Sequence, residues 1–219
     1  MRNEWHVGVV IPAKNEQDFI EDVINSIPDF VDKIVVVNDG SNDETQVIVE
    51  NKILTNNKIR LVNLTGKGVG FAIDSGHQEM LKLLEKPFVS VVMAGDGQMN
   101  PEDLPSLIEP IINNQSDYVK GNRFHHKDGV TEMPKLRKLA SILLGFLTTL
   151  AAGRHVTDPQ CGYTATSHRV LREWDWSKSW KNYGYPNYWL IELSKKSLRV
   201  KEIPVKCIYG DEKSGLKMF

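Results

Sequence analysis

Val89-Ser-Val-Val-Met-Ala-Gly-Asp-Gly-Gln-Met-Asn-Pro-Glu-Asp-Leu-Pro105 runs from an apolar, β-branched strand pattern through a short acidic turn into a helix. Such a junction puts a carboxylate at the carboxyl end of a strand, the edge of an open α/β sheet at which ligands bind. Asp96 and Gln98, two residues apart in an extended turn, offer two oxygen donors on one side. Oxygen donors suit Mg²⁺ or Mn²⁺. Acidic turns are also common as plain chain reversals, with Gly95 and Gly97 serving only to bend the backbone, so the rest of the chain has to decide.

Outward from this turn, β-branched runs alternate with segments of helical period. Strands are expected near His6–Pro12, Lys33–Asn38, Ile59–Leu64, Phe88–Met93 and Asp117–Lys120, and helices near Glu16–Ile27, Asp43–Leu54, Val69–Leu84 and Pro101–Asn113. Repeated β-α-β-α predicts an α/β fold, a Rossmann-like, mostly parallel sheet with helices on both faces. Ser41 with Glu44 three residues later reads as a capping box at a helix entry. Beyond Lys120 the pattern is less regular: a long apolar helix over about Pro134–Ala152, a strand at Cys161–Ser167, a Trp/Tyr-rich segment at 174–189 and a last strand near Leu198–Val205.

Composition narrows the class. With 219 residues, 41% hydrophobic and 25% charged, the chain has enough material for one good core, and one domain is the default. A formal net charge of −1 gives no electrostatic footprint for nucleic acid. Two cysteines, Cys161 and Cys207, are too few for a disulfide framework or structural zinc, and reduced thiols point to the cytoplasm. The first residues carry no signal-peptide pattern, and no run of about 20 apolar residues occurs.

If the first four strands are parallel neighbours, three polar strand ends converge: Pro12-Ala-Lys-Asn-Glu16, Asn38-Asp-Gly-Ser41 and Gly95-Asp-Gly-Gln98. Asp39 then stands where it can accept from a base or a ribose hydroxyl, or is simply a turn aspartate beside Gly40. Gly66-Lys-Gly-Val-Gly70 opens a helix, but Phe71 occupies the third glycine position of a dinucleotide fingerprint and the motif lies on the wrong turn, so a dinucleotide oxidoreductase is rejected. Those glycines read better as allowing a nucleotide close to the backbone, with Lys67 near ribose or phosphate.

Taken in order, these motifs, with Gly121-Asn-Arg123, Asp158-Pro-Gln-Cys-Gly-Tyr163 and Gly210-Asp-Glu-Lys-Ser-Gly215, resemble family-2 glycosyltransferases of the GT-A fold. Within that family the chain is most similar to the dolichyl-phosphate mannose synthase and polyprenyl-phosphate glycosyltransferase group. The resemblance implies one catalytic domain, residues 1–120 forming a nucleotide-binding half and 121–219 an acceptor half. It implies that Pro12, Ala13, Glu16, Asp39 and Lys67 surround a nucleotide-sugar donor of GDP-mannose or UDP-glucose type, and that Asp96 and Gln98 hold Mg²⁺ or Mn²⁺ on its diphosphate. Arg123 would meet the phosphate of a polyprenyl acceptor, Asp158 opens the acceptor motif, and Lys213 and Ser214 match a loop that closes over the phosphates.

The implied reaction is inverting transfer of a hexose to the lipid phosphate, whose second pKa near 6 leaves it ionised without a strong base. A sugar-hydroxyl acceptor, as in cell-envelope glycan synthesis, would need a base, for which Asp158 is the candidate. One departure stands out: the family pattern has an acid where this chain has Ala94. Either an inactivating Asp→Ala change has impaired the enzyme, which the completeness of the other motifs favours, or a natural sequence manages with Asp96 and Gln98. A third reading is a catalytically silent nucleotide-binding protein. The helix at 134–152, with Lys135, Arg137 and Lys138 before its apolar body and Arg154 and His155 after it, reads as a peripheral membrane contact at the cytoplasmic face or as a buried core helix. The Trp/Tyr segment reads likewise as an interfacial belt or as core.

Overall fold

A computed structural model describes residues 5–85, 87–128, 130, 133, 135–178, 180–182 and 184–208. In chain order the elements are β1 (His6–Ala13), α1 (Ile20–Ser26), β2 (Lys33–Asn38), α2 (Thr45–Thr55), β3 (Ile59–Asn63), α3 (Val69–Leu83), β4 (Phe88–Val92), α4 (Leu104–Ile112), β5 (Tyr118–Asn122), α5 (Lys135–Ala152), β6 (Thr164–Ser167), α6 (His168–Glu173), α7 (Tyr185–Lys195) and β7 (Val200–Pro204). Short 3₁₀ turns occupy Pro101–Asp103, Arg123–His125 and Trp176–Lys178. The strands form one seven-stranded sheet in the order β3-β2-β1-β4-β6-β5-β7. β3, β2, β1 and β4 are parallel, β6 runs antiparallel between β4 and β5, and β7 lies parallel to β5 at the far edge.

The five inner strands are buried on both faces, as a helix-covered sheet requires, and the edge strands β3 and β7 only in part. Val9, Ile11, Val36, Val91 and Val119 join a layer with Ile24 of α1, Val49 of α2 and Leu107 and Ile108 of α4. Their neighbours Val10, Val35, Val37, Val92 and Tyr118 face Ala72 and Met80 of α3, Leu171 of α6 and Trp189 and Leu193 of α7. The alternation of the two layers along each strand is the period of two that side chains obey in an extended chain.

Two sequence expectations need correction here. The capping box at Ser41 and Glu44 does not form: α2 begins at Thr45, and Glu44 makes no side-chain cap. Ser41 instead accepts the Asn15 N–H at 2.9 Å, while Asp43 Oδ1 accepts from the Thr45 N–H at 3.1 Å. The segment from Glu16 to Phe19, expected to be helical, precedes α1 as a turn that follows Asn15 at φ 57°. The aromatic segment is core rather than belt: Trp174 and Trp189 stack at 4.3 Å, both buried, and Tyr185 is buried with its hydroxyl donating to Asp74 Oδ1 at 2.7 Å. Among the described aromatic residues of the segment, Trp180 is exposed, stacked on Tyr188.

His77 on α3 is buried against Trp189, its Nδ1 2.9 Å from Ser90 Oγ, and burial pushes its pKa down from 6.5 to about 3. A histidine depressed in the folded state contributes stability above its unfolded value and loses it as pH falls from 6.5 toward 3. The loss reaches at most about 1.4 kcal/mol per pH unit. Urea midpoints measured from pH 7 to pH 4.5 should therefore fall less steeply for His77→Gln than for the parent chain.

Candidate active site

The carboxyl end of β1 joins the three polar strand ends. The Pro12 carbonyl accepts the Gly95 N–H at 3.1 Å and the Ala13 carbonyl accepts the Asp39 N–H at 2.9 Å. The loops beyond are laced together: Thr45 Oγ1 accepts from the Glu16 N–H at 2.8 Å and Asn15 Oδ1 from the Asn42 N–H at 2.8 Å. Glu16 thereby stands among carboxylates. Its own burial first, then Asp96, Asp43 and Asp18, push its pKa up to about 7.

In the acidic turn, Asp96 Oδ1 accepts the Gln98 N–H at 3.0 Å, and Gly97 adopts φ 75°. Ala94 contributes a methyl group where an acid would add two oxygens, its N–H directed at Met99 Sδ. Among the described residues, no group of three or more His, Cys, Asp or Glu side chains could hold a metal. One carboxylate and one amide fit Mg²⁺ or Mn²⁺ in the way these ions are held alongside substrate phosphates, through one or two carboxylates with water and phosphate completing the shell.

The glycine loop departs from its sequence reading. Gly70 donates its N–H to the Lys181 carbonyl at 3.0 Å, and a Cβ on Gly70 would lie 1.9 Å from the Trp180 carbonyl oxygen. One on Gly68, which sits at φ 101°, would lie 2.4 Å from the Lys181 carbonyl oxygen. These two glycines therefore admit the chain's own segment 180–182 rather than a nucleotide. Asp39, buried, accepts the N–H groups of Lys67 at 2.7 Å and Gly68 at 2.8 Å, one on each oxygen. It is neither an idle turn residue nor dedicated to a ligand, since each carboxylate oxygen keeps a second lone pair. Lys67 is exposed, with its ammonium 4.7 Å from the Phe71 ring centre.

On the other side of the acidic turn lies the loop between α5 and β6. Asp158, fully buried, accepts three hydrogen bonds from Arg123: the backbone N–H at 2.9 Å, Nε at 2.8 Å and Nη2 at 2.8 Å. Burial alone would raise the Asp158 carboxyl, but the Arg123 guanidinium and the Lys120 ammonium outweigh it and hold the group below the usual carboxylate range. An ionised, doubly engaged carboxylate is poorly suited to act as the base assigned to it for a hydroxyl acceptor. The loop reaches the acidic turn: Tyr163 donates its hydroxyl to the Asn100 carbonyl at 3.1 Å, and Gly162 lies against Met99. Behind β7, Cys207 bridges to Met99 and Ile208 donates to the Gln98 carbonyl at 2.9 Å. Lys213 and Ser214 lie outside the described residues.

Sequence reasoning missed Lys120 and Tyr163. A lysine inside the otherwise apolar start of a central strand, Tyr118-Val-Lys, was the available signal, because a buried cation needs a reason. α5 is not the buried core helix that was one of its two readings. Leu136, Leu139, Ile142, Leu143, Phe146, Leu147 and Leu150 are each more than half exposed. The inward face is small and polar: Ser141 and Thr148 are buried, and Thr148 Oγ1 donates toward Leu144 O at 2.7 Å and meets Asn187 Oδ1 of α7 at 2.8 Å. Lys138 is exposed, and Arg154 donates to the Val200 carbonyl. Among the described residues no helix is long and apolar enough to cross a membrane.

A mostly parallel sheet whose strand ends gather an acidic turn, met by a loop that also carries a buried aspartate–arginine pair, fits a GT-A glycosyltransferase. The chain belongs to glycosyl transferase family 2, whose model matches residues 8–175. It is 33% identical over 219 residues to the UDP-N-acetylglucosamine–dolichyl-phosphate N-acetylglucosaminyltransferase of Methanococcus voltae, covering 94% of this chain and 86% of that protein. It is 32% identical over 173 residues to the dolichol-phosphate mannosyltransferase of Pyrococcus furiosus, covering 75% of this chain and 47% of that one. The fold is shared with glucosyl-3-phosphoglycerate synthase of Mycobacterium tuberculosis, solved with Mn²⁺, UDP and phosphoglyceric acid, at a TM-score of 0.68 and 22% identity over 95% of this chain and 72% of that one.

Removing one partner of a buried ion pair leaves a desolvated charge, at a cost of about 3–5 kcal/mol. Asp158→Ala should therefore destabilise the fold by that amount in urea titration. Lys82→Ala, which removes one exposed partner of Glu79 and leaves Arg60 beside it, should change it by less than about 1 kcal/mol.

Proposed function

We propose that this chain is the catalytic unit of an inverting glycosyltransferase that moves a sugar from a nucleotide sugar to a polyprenyl phosphate. The observation that supports the reading is that the loop carrying Asp158, the partner of Arg123, continues to Gly162 and Tyr163, which meet Met99 and Asn100 next to the Asp96–Gln98 turn. The donor would lie over the end of β1, with Pro12, Ala13 and Glu16 on one side, Asp39 offering its remaining lone pairs and Lys67 at the rim. Asp96 and Gln98 would hold Mg²⁺ or Mn²⁺. When bound, the ion supplies Lewis-acid stabilisation of the charge on the leaving diphosphate. Lys213 and Ser214 follow Ile208, which is bonded to the acidic turn, and are assigned to the same phosphates. Residues 1–120 form the donor half and 121–219 the acceptor half.

Arg123 would orient the acceptor phosphate, which is already ionised and attacks without a base. The locked state of Asp158 favours this acceptor over a saccharide hydroxyl. The M. voltae relative adds UDP-N-acetylglucosamine to the GDP-mannose and UDP-glucose donors expected from the motifs. α5, apolar outward with Lys138 near its start, is assigned to the surface of the membrane that holds the acceptor.

Labelled sugar from GDP-mannose, UDP-glucose and UDP-N-acetylglucosamine should pass to a short polyprenyl phosphate with Mn²⁺ or Mg²⁺. The Ala94→Asp variant should be faster by about two orders of magnitude or more, as expected when a group acting on leaving-group charge is restored. Equal rates in the two proteins would clear Ala94 of any defect, and nucleotide binding without transfer in either would favour a silent binding protein. Vesicles containing anionic lipid should retain the parent chain in flotation. Phe146→Glu should release it without lowering its urea midpoint, because the side chain is exposed.

A further inference from the structure

We propose that Lys120 is a positioning residue for the acceptor phosphate, a role that rests on the transfer reaction proposed above. Lys120 is fully buried in β5, in register with Thr164 of β6 and Glu202 of β7. Its ammonium donates to the carbonyl of Asp158 and, at 3.0 Å, to that of Cys161. Glu202 is turned to a different partner, its Oε2 accepting from Asn122 Nδ2 at 2.7 Å. Its hydrogen-bond partners are two neutral carbonyls, with the Asp158 carboxylate near enough to feel the charge; burying an ammonium in this way is costly, and a well-packed apolar side chain commonly serves stability as well or better.

What the charge achieves, and an apolar side chain would not, is to draw two carbonyls three residues apart to one point. That fixes the turn through Pro159 and Gln160 and aims the Asp158 carboxylate. Asp158 in turn holds Arg123 by three hydrogen bonds. The orientation of the arginine thus passes through the loop to Lys120, which touches no reacting atom. The same loop continues to Gly162 and Tyr163, which meet Met99 and Asn100 at the edge of the acidic turn.

The test measures equilibrium binding of geranylgeranyl monophosphate, and separately of UDP and GDP, for the parent chain, Lys120→Met and Lys120→Gln, each also in an Arg123→Gln background. Lys120→Met should weaken lipid-phosphate binding by about tenfold or more, the scale seen when a group supporting a binding residue is lost. Nucleotide binding should stay within about twofold, and Lys120→Gln, which keeps an uncharged N–H donor group, should recover part of the loss. In the Arg123→Gln background Lys120→Met should add less than about twofold, because the arginine it positions is gone. Unchanged lipid-phosphate binding, an equal loss of nucleotide and lipid phosphate, or the same loss in both backgrounds would each overturn the role. If Lys120→Met does not fold, Lys120→Gln carries the same comparisons. A parent chain that binds nucleotide but no lipid phosphate would refute the transfer reading itself, a result distinct from any difference among the variants.

Discussion

Two carbonyl groups at the end of β1 hold together the strand-end loops proposed to take the donor. The Pro12 carbonyl anchors the acidic turn through Gly95, and the Ala13 carbonyl anchors the second strand end through Asp39. Asp39 then clamps the loop at Lys67 and Gly68 with its side chain. Three loops from three βα units are thus referred to a single strand end. Because β1 is a central strand buried on both faces, that end is among the stiffest points of the fold. A site that must stabilise developing charge benefits from this, since preorganised groups need no rearrangement when the charge appears.

The loop proposed to face the acceptor is organised by buried charge. Asp158 sits between Arg123, which binds its carboxylate, and Lys120, which binds its carbonyl. Buried ion pairs are weak contributors to net stability, and their better-attested use is to specify one arrangement among several. Here the specified arrangement brings the loop from Asp158 to Tyr163 against Met99 and Asn100. Besides the β4–β6 ladder, this contact ties the later part of the chain to the earlier part, and a further one forms where segment 180–182 lies on Gly68 and Gly70.

Much of this was legible in the chain. Lys33–Asn38 was read with its observed limits, and the other parallel strands to within a residue or two, because β-branched runs between turn residues are a local signal. The acidic turn and the Asn122-Arg123 turn were found as motifs and lie where strand ends converge. What failed was whatever depended on partners distant in sequence. Ser41 has the composition of a cap, yet Asn15 claims its hydroxyl. The glycines at 68 and 70 look like a ligand cradle, yet residues more than a hundred positions later fill the space. α5 has an ordinary amphipathic period, and only the packing against α7 reveals that its small, polar stripe faces inward.

The acidic turn is fastened by main-chain groups: Gly95 through its amide to Pro12, and Gln98 through its carbonyl to Ile208. Neither of these two bonds uses the side chain at position 94, 96 or 98, but Asp96 Oδ1 also closes the turn by accepting the Gln98 N–H. Position 94 is engaged through its backbone N–H, so its side chain is free to carry chemistry without carrying shape, whereas Asp96 carries both. An exchange at 94 therefore changes what the turn can bind and leaves its fastening as it was, while an exchange at 96 changes both at once.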